Sequence, residues 1–229
     1  MKKTSAFFVL LLLAGCDNPP QSASFTDVES DGKHTFIADV WADNWFSFSL
    51  EKTQMLEDSV SITTERSFNA ESFRFKADYP LQLNFVIKDF KENDTGLEYI
   101  GARNQQMGDG GFIAQFRHES TGAIVAVTNS SWRCLVTHHA PTDKSCESLD
   151  QPVVGEGPCG SAKTDAPIEW QTIGFDDSAW ISASEYSESE VDPKHGYDAI
   201  DWDDTAHLIW TGDLEQDNTL LCRLTVEEP

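Results

Sequence analysis

Apolar residues in this chain recur at every second position in short runs, and that period limits the fold more than any other feature. Phe36, Ala38 and Val40 form one run, and Trp45-Phe46-Ser47-Phe48-Ser49-Leu50 forms the next. Phe73-Arg74-Phe75 and Leu81-Gln82-Leu83-Asn84-Phe85-Val86-Ile87 follow. A two-residue period puts alternate side chains on opposite faces of a strand, so each run reads as a half-buried strand. Phe112–Phe116 and Ala123–Val127 flank Ser120-Thr121-Gly122, the composition of a hairpin turn. Gly108-Asp109-Gly110-Gly111 reads as flexible turn backbone. Strand-like material returns at Glu169-Trp170-Gln171-Thr172, Leu208-Ile209-Trp210 and Thr219–Val226. After Cys16 no segment keeps a helical apolar stripe beyond two turns. Many short strands with turn-rich connections predict an all-β fold of two packed sheets.

Between Ala140 and Pro167 the alternation stops. Pro141, Pro152, Pro158 and Pro167 fall there, with Cys146 and Cys159. Ordering so long an irregular loop costs conformational entropy that a covalent clamp reduces. Cys134 and Cys222 bring the cysteines after residue 16 to four, which predicts two disulfides in an exported chain. Three pairings are open. The expected one joins Cys146 to Cys159 across the excursion, and Cys134 to Cys222 between a mid-chain strand and the last strand.

Lys2 and Lys3 precede an apolar stretch from Ala6 to Ala14, too short for a membrane span of about 20 residues. Leu12-Leu13-Ala14-Gly15-Cys16 ends it, and Leu-Ala-Gly-Cys resembles the lipobox of bacterial lipoproteins. The basic start and apolar run read as a signal peptide over 1–15, 16–24 as Cys16 and its polar tether, and 25–229 as a single domain with an insertion at about 140–167. The resemblance implies a lipidated N-terminal Cys16. It places the chain in the bacterial cell envelope, anchored to a membrane through its lipid. Asp17 resembles the inner-membrane retention signal of enterobacterial lipoproteins, while the choice between inner and outer membrane stays open. The net charge of −23 repels phosphate backbones and anionic lipid heads, so no nucleic-acid partner is expected.

Three blocks carry a second resemblance. They are Ala42-Asp43-Asn44-Trp45 with the aromatics that follow, Gly110–Phe116 with Thr128-Asn129-Ser130-Ser131-Trp132, and Phe175-Asp176-Asp177-Ser178-Ala179-Trp180 with Trp210 and Arg223 downstream. Together they resemble the galactose-binding-like, jelly-roll β-sandwich modules found beside bacterial glycosidases. The expected fold is therefore a jelly-roll β-sandwich with a long disulfide-clamped loop. The chain lacks the Tyr-x-Asn-Gly turn common in those modules and carries the cysteine-bearing excursion as an elaboration.

Carbohydrate recognition uses aromatic faces beside planar polar groups. Trp41, Asp43, Asn44 and Trp45 supply these near one turn, and Tyr99, Arg103, Asn104 and Gln105 near another. Two acidic stretches offer oxygen ligands of the kind calcium takes: Asp89, Glu92, Asp94 and Glu98, or Asp201, Asp203 and Asp204. The resemblance to galactose-binding-like modules implies a structural calcium, and no other cofactor is expected. No Gly-x-Ser-x-Gly elbow or zinc motif is present, and paired carboxylates discriminate nothing in so acidic a chain. The expected function is a membrane-anchored, non-catalytic lipoprotein that recognises a carbohydrate or cell-surface ligand. An envelope scaffold that docks another protein is the alternative, and a glycoside hydrolase-like enzyme the minor one.

Overall fold

A computed structural model describes residues 25–229; Cys16, Asp17, the signal segment and the tether lie outside the described residues. In chain order the strands are β1 (Thr26–Asp27), β2 (His34–Asp43), β3 (Trp45–Leu50), β4 (Thr53–Glu57), β5 (Ala70–Ala77), β6 (Leu81–Lys88), β7 (Leu97–Glu98) and β8 (Gln106–Met107). They continue as β9 (Gly111–His118), β10 (Ile124–Val127), β11 (Arg133–His139), β12 (Ala162–Lys163), β13 (Ile181–Ser182), β14 (Ser184–Tyr186), β15 (Leu208–Trp210) and β16 (Asp217–Val226). One sheet runs β1-β5-β2-β9-β15-β14 with β10 beside β9, and the other runs β12-β11-β16-β6-β3-β4 with β13 beside β11. The protein is all-β, two sheets forming a β-sandwich compatible with a jelly roll. The expected hairpin is β9–β10, turned through Gly122 in the left-handed region.

Alternation decides which side chains meet between the sheets. Phe36, Ala38, Val40 and Ala42 of β2 point into one central cluster with Phe46, Phe48, Phe73, Phe75, Phe85, Phe112 and Phe116. Phe85 holds the middle, 4.9 Å from the Phe48 ring and 4.8 Å from that of Phe112. Each such pair adds about 0.5–1.5 kcal/mol to the burial of the rings.

The outer faces are covered too. Trp41 and Ile113 pack under Val191, from α1 (Glu188–Val191), and Tyr197. On the other sheet Leu221, Val86 and Leu135 pack under Trp170, Trp180 and Phe175. The segment at Glu169–Thr172 is therefore a lid of turns and not the expected strand. Glu169 takes a φ of 64°, which an extended strand does not admit.

Both expected disulfides are present. Cys134–Cys222 joins directly opposed residues of β11 and β16, and Cys146–Cys159 closes the excursion. Within that loop the backbone makes only two 3-10 turns, at Lys144–Ser148 and Gly157–Cys159, before β12 returns to β11.

Candidate functional site

Three carboxylates converge where the first sheet meets the second. Asp43 ends β2, Asp89 follows β6, and Asp109 sits in the glycine-rich approach to β9. Each offers an oxygen, and these oxygens lie within 4.8 Å of one another. Backbone bonds hold the seat. The Asn44 N–H donates to the Lys88 carbonyl at 2.7 Å, and the Asp89 N–H donates to the Asn218 carbonyl at 3.0 Å. Asn44 Oδ1 accepts from the Phe90 N–H at 2.6 Å, and its amide nitrogen donates to the Glu65 carbonyl at 3.1 Å.

The glycine run does more than turn the chain. A Cβ on Gly108 would collide with the Asp89 carboxylate, one on Gly110 with the Trp210 ring, and one on Gly111 with Val191. Close packing, not flexible backbone, accounts for these three glycines.

The electrostatics are unusual for carboxylates. Asp43 is 1% exposed and Asp89 3%, and neither oxygen of either residue has a hydrogen-bond partner among the described residues. Burial pushes the Asp43 pKa up, repulsion from Asp109, Asp89 and Glu98 adds to it, and Lys194 opposes it. Burial raises Asp89 likewise, with Glu98 and Asp109 adding and the Phe90 amide offsetting part. Glu98, in β7, is raised to about 7, chiefly by burial. Asp109 is raised by burial, against the attraction of Lys194. Unpaired buried carboxylates are costly, so such a group takes up a proton or a cation.

Above this seat opens a cavity of about 340 Å³, whose lining includes Glu65, Phe68, Tyr99, Gln106, Asp109 and Lys194. The Tyr99 hydroxyl donates to Glu65 Oε1 at 2.6 Å, and the Phe68 ring lies parallel to Trp41 at 6.3 Å. Asp109 is shared by the seat and the cavity.

The candidates from the sequence scatter around this centre. Trp41 is fully buried, with its indole N–H donating to the His195 carbonyl at 3.1 Å, so it presents no face to a ligand. Asn44 is buried and architectural, while Asp43 belongs to the carboxylate seat. Trp45 carries the Lys88 ammonium 4.5 Å above its ring. Tyr99 lines the cavity. Arg103 and Asn104 are exposed on the loop beyond it, and Gln105 fastens that loop by donating to the Glu147 and Leu149 carbonyls. These four residues form no common platform, because the loop turns between Tyr99 and Gln105.

Of the first calcium set, Asp89 and Glu98 point toward the centre and the other two do not. Glu92 accepts from the Ile100 N–H, and Asp94 pairs with Lys91 and Lys163. In the second set Asp203 accepts from the Thr205 N–H, and Asp201 offers its backbone carbonyl to Gln115. The carboxylates of Asp201, Asp203 and Asp204 are not part of the convergent group. Asp109, Glu65, Phe68 and Lys194 were missed. Only an aspartate caught between glycines hinted at one of them.

The architecture defines a two-sheet, disulfide-bonded β-sandwich with an acidic seat at one end. No protein-family model, no curated protein and no solved structure matches the chain.

Proposed function

We propose that this protein is a membrane-anchored, non-catalytic binding lipoprotein of the bacterial cell envelope, with a sandwich of the galactose-binding-like type. It recognises a carbohydrate or similar hydroxyl-rich cell-surface ligand in the cavity between Phe68, Tyr99 and Lys194. The observation that carries this reading is the composition of that cavity: two aromatic side chains beside Glu65, Gln106, Asp109 and Lys194. Sugar C–H faces stack on aromatic rings, while carboxylates, amides and ammonium groups bond hydroxyls. The cavity opens among loops at one end of a rigid sandwich, where binding residues collect. Asp43 and Asp89 are not in the cavity lining, whereas Glu65, Glu98 and Asp109 are, and in this reading those three bond ligand hydroxyls.

A glycan array on the full-length protein tests this, followed by calorimetry on Tyr99→Ala and Lys194→Ala. The expected result is a defined glycan set whose affinity falls at least tenfold in either variant, with the melting temperature little changed. An array without signal, or binding indifferent to both substitutions, overturns it. Docking of another envelope protein is the second reading, favoured by Ile168, which is 88% exposed in the lid over the second sheet.

A further inference from the structure

We propose that Asp43, Asp89 and Asp109 bind one divalent cation, with calcium the ion that fits, at the junction of β2, β6 and the glycine-rich approach to β9. This site stands whether or not the cavity above it seats a glycan.

The spacing suits the ion. Calcium holds oxygens at about 2.3–2.6 Å, so ligands on opposite sides of it lie roughly 4.6–5.2 Å apart. The three carboxylates offer oxygens within 4.8 Å of one another, a spread that one calcium spans. Magnesium, at about 2.0–2.1 Å, demands a tighter and more regular shell. All three donors are hard carboxylate oxygens, which disfavours zinc or copper.

The unpartnered state of two ligands is the independent observation. All four oxygens of Asp43 and Asp89 are buried without a hydrogen bond among the described residues, the nearby Phe90 N–H being given to Asn44 Oδ1. Native proteins rarely leave such groups unsatisfied, and each one calls for an explanation. Among the described residues no basic side chain pairs directly with Asp43 or Asp89, although Lys194 attracts Asp43 from a distance. Lys88, adjacent to Asp89, lies over Trp45, Lys91 bonds Asp94, and Lys194 pairs with Asp192. A bound cation supplies the missing positive charge and satisfies the orphaned oxygens together.

The seat is also built to stay in place. Gly108 gives the Asp89 carboxylate room that any side chain would take, and Asn44 ties the ends of β2 and β6 to each other. Preorganised ligands lose little entropy when the ion arrives.

The test strips the full-length protein with EDTA, then titrates it with CaCl2, MgCl2 and ZnCl2 by calorimetry and follows melting in each. One calcium per chain, a melting temperature several degrees higher in calcium than in EDTA, and weaker response to magnesium are expected. Asp89→Asn should lower calcium affinity at least a hundredfold while melting no lower than the EDTA-treated parent, because it removes a buried charge. Terbium luminescence excited through tryptophan needs no variant, and calcium should displace it. The proposal is overturned if the parent melts identically in calcium and EDTA with no bound metal. It is equally overturned if Asp89→Asn binds calcium as tightly as the parent, which would put the ion elsewhere.

Discussion

Arg223, buried in the last strand, forms an ion pair with the half-buried Asp177 in the lid over the second sheet. The guanidinium also donates to the Thr172 carbonyl at 2.7 Å and the Phe175 carbonyl at 3.2 Å, and lies 5.3 Å from the Phe175 ring centre. One side chain therefore staples the lid to the core sheet. Truncating one partner of a buried pair strands the other's polar contacts and typically costs about 3–5 kcal/mol. Arg223→Ala is expected to lose stability on that scale in urea unfolding. Asp177→Ala should lose less, since Asp177 is 30% exposed while Arg223 is 2% exposed. The double variant should lose less than the two singles summed, as for any pair that acts together.

The two disulfides should differ in what they stabilise. Cys134–Cys222 spans 88 residues and Cys146–Cys159 spans 13. Loop-closure entropy then assigns about 4–5 kcal/mol to the first and about 3 kcal/mol to the second. Paired Cys→Ser variants, compared by denaturant midpoint, should fall in that order. Loss of the shorter bridge should expose residues 140–167 to protease before the core opens.

Asp58, just past β4, gives a pH prediction. Its Oδ1 accepts from the Val60 N–H at 2.8 Å, while Oδ2 is buried without a partner among the described residues. Burial, with Glu71 adding, raises its pKa to about 7 from 3.8. The folded state thus holds a proton that the unfolded chain releases. Stability from this group is full below pH 3.8 and is lost as pH rises through about 7. Asp58→Asn removes the dependence. Its advantage over the parent should grow from about pH 4 to pH 7 and then level off, reaching about 1–2 kcal/mol after solvent screening. Thermal or urea unfolding of both proteins across that range checks the sign. An advantage that shrinks with rising pH would contradict the assignment.

Gly108→Ala should weaken calcium binding without unfolding the sandwich. The new methyl group collides with the Asp89 carboxylate and must push it from its place. Calorimetry should show at least a tenfold loss of affinity, with the far-ultraviolet spectrum unchanged. Gly174→Ala, where an added Cβ meets nothing within 4 Å and the backbone is not left-handed, is the control and should bind calcium like the parent.

Much of the sandwich is legible in the two-residue period, because Phe36, Ala38, Val40 and Ala42, like Leu81, Leu83, Phe85 and Ile87, all enter the central cluster. The burial of nearly every residue between them, on the covered outer faces, is not legible there. The hairpin at Gly122 follows from local composition, and the even cysteine count predicts two disulfides while leaving three pairings open. Trp41 was harder to place. It stands on the outer face of its sheet, and the cover that buries it comes from Phe68 and from residues 188–206, a polar stretch without periodicity. The lid at Trp170 was misread for a related reason: its apolar residues serve a surface patch and not a strand face. The carboxylate seat is the least visible part. Asp43 lies just ahead of Trp45, which faces Lys88 across the β3–β6 pair, so strand pairing between segments distant in sequence sets Asp43 beside Asp89, and nothing local marks either as a ligand.

Asp43, Asp89 and Asp109 all precede Cys134, whereas α1, Lys194 and His195 fall between Cys134 and Cys222. The Asp89 N–H bonds the Asn218 carbonyl and β6 pairs with β16, so the seat that holds these early carboxylates is finished only by the last strand. While the later half is still arriving, those carboxylates remain open to water and to whatever ions it carries.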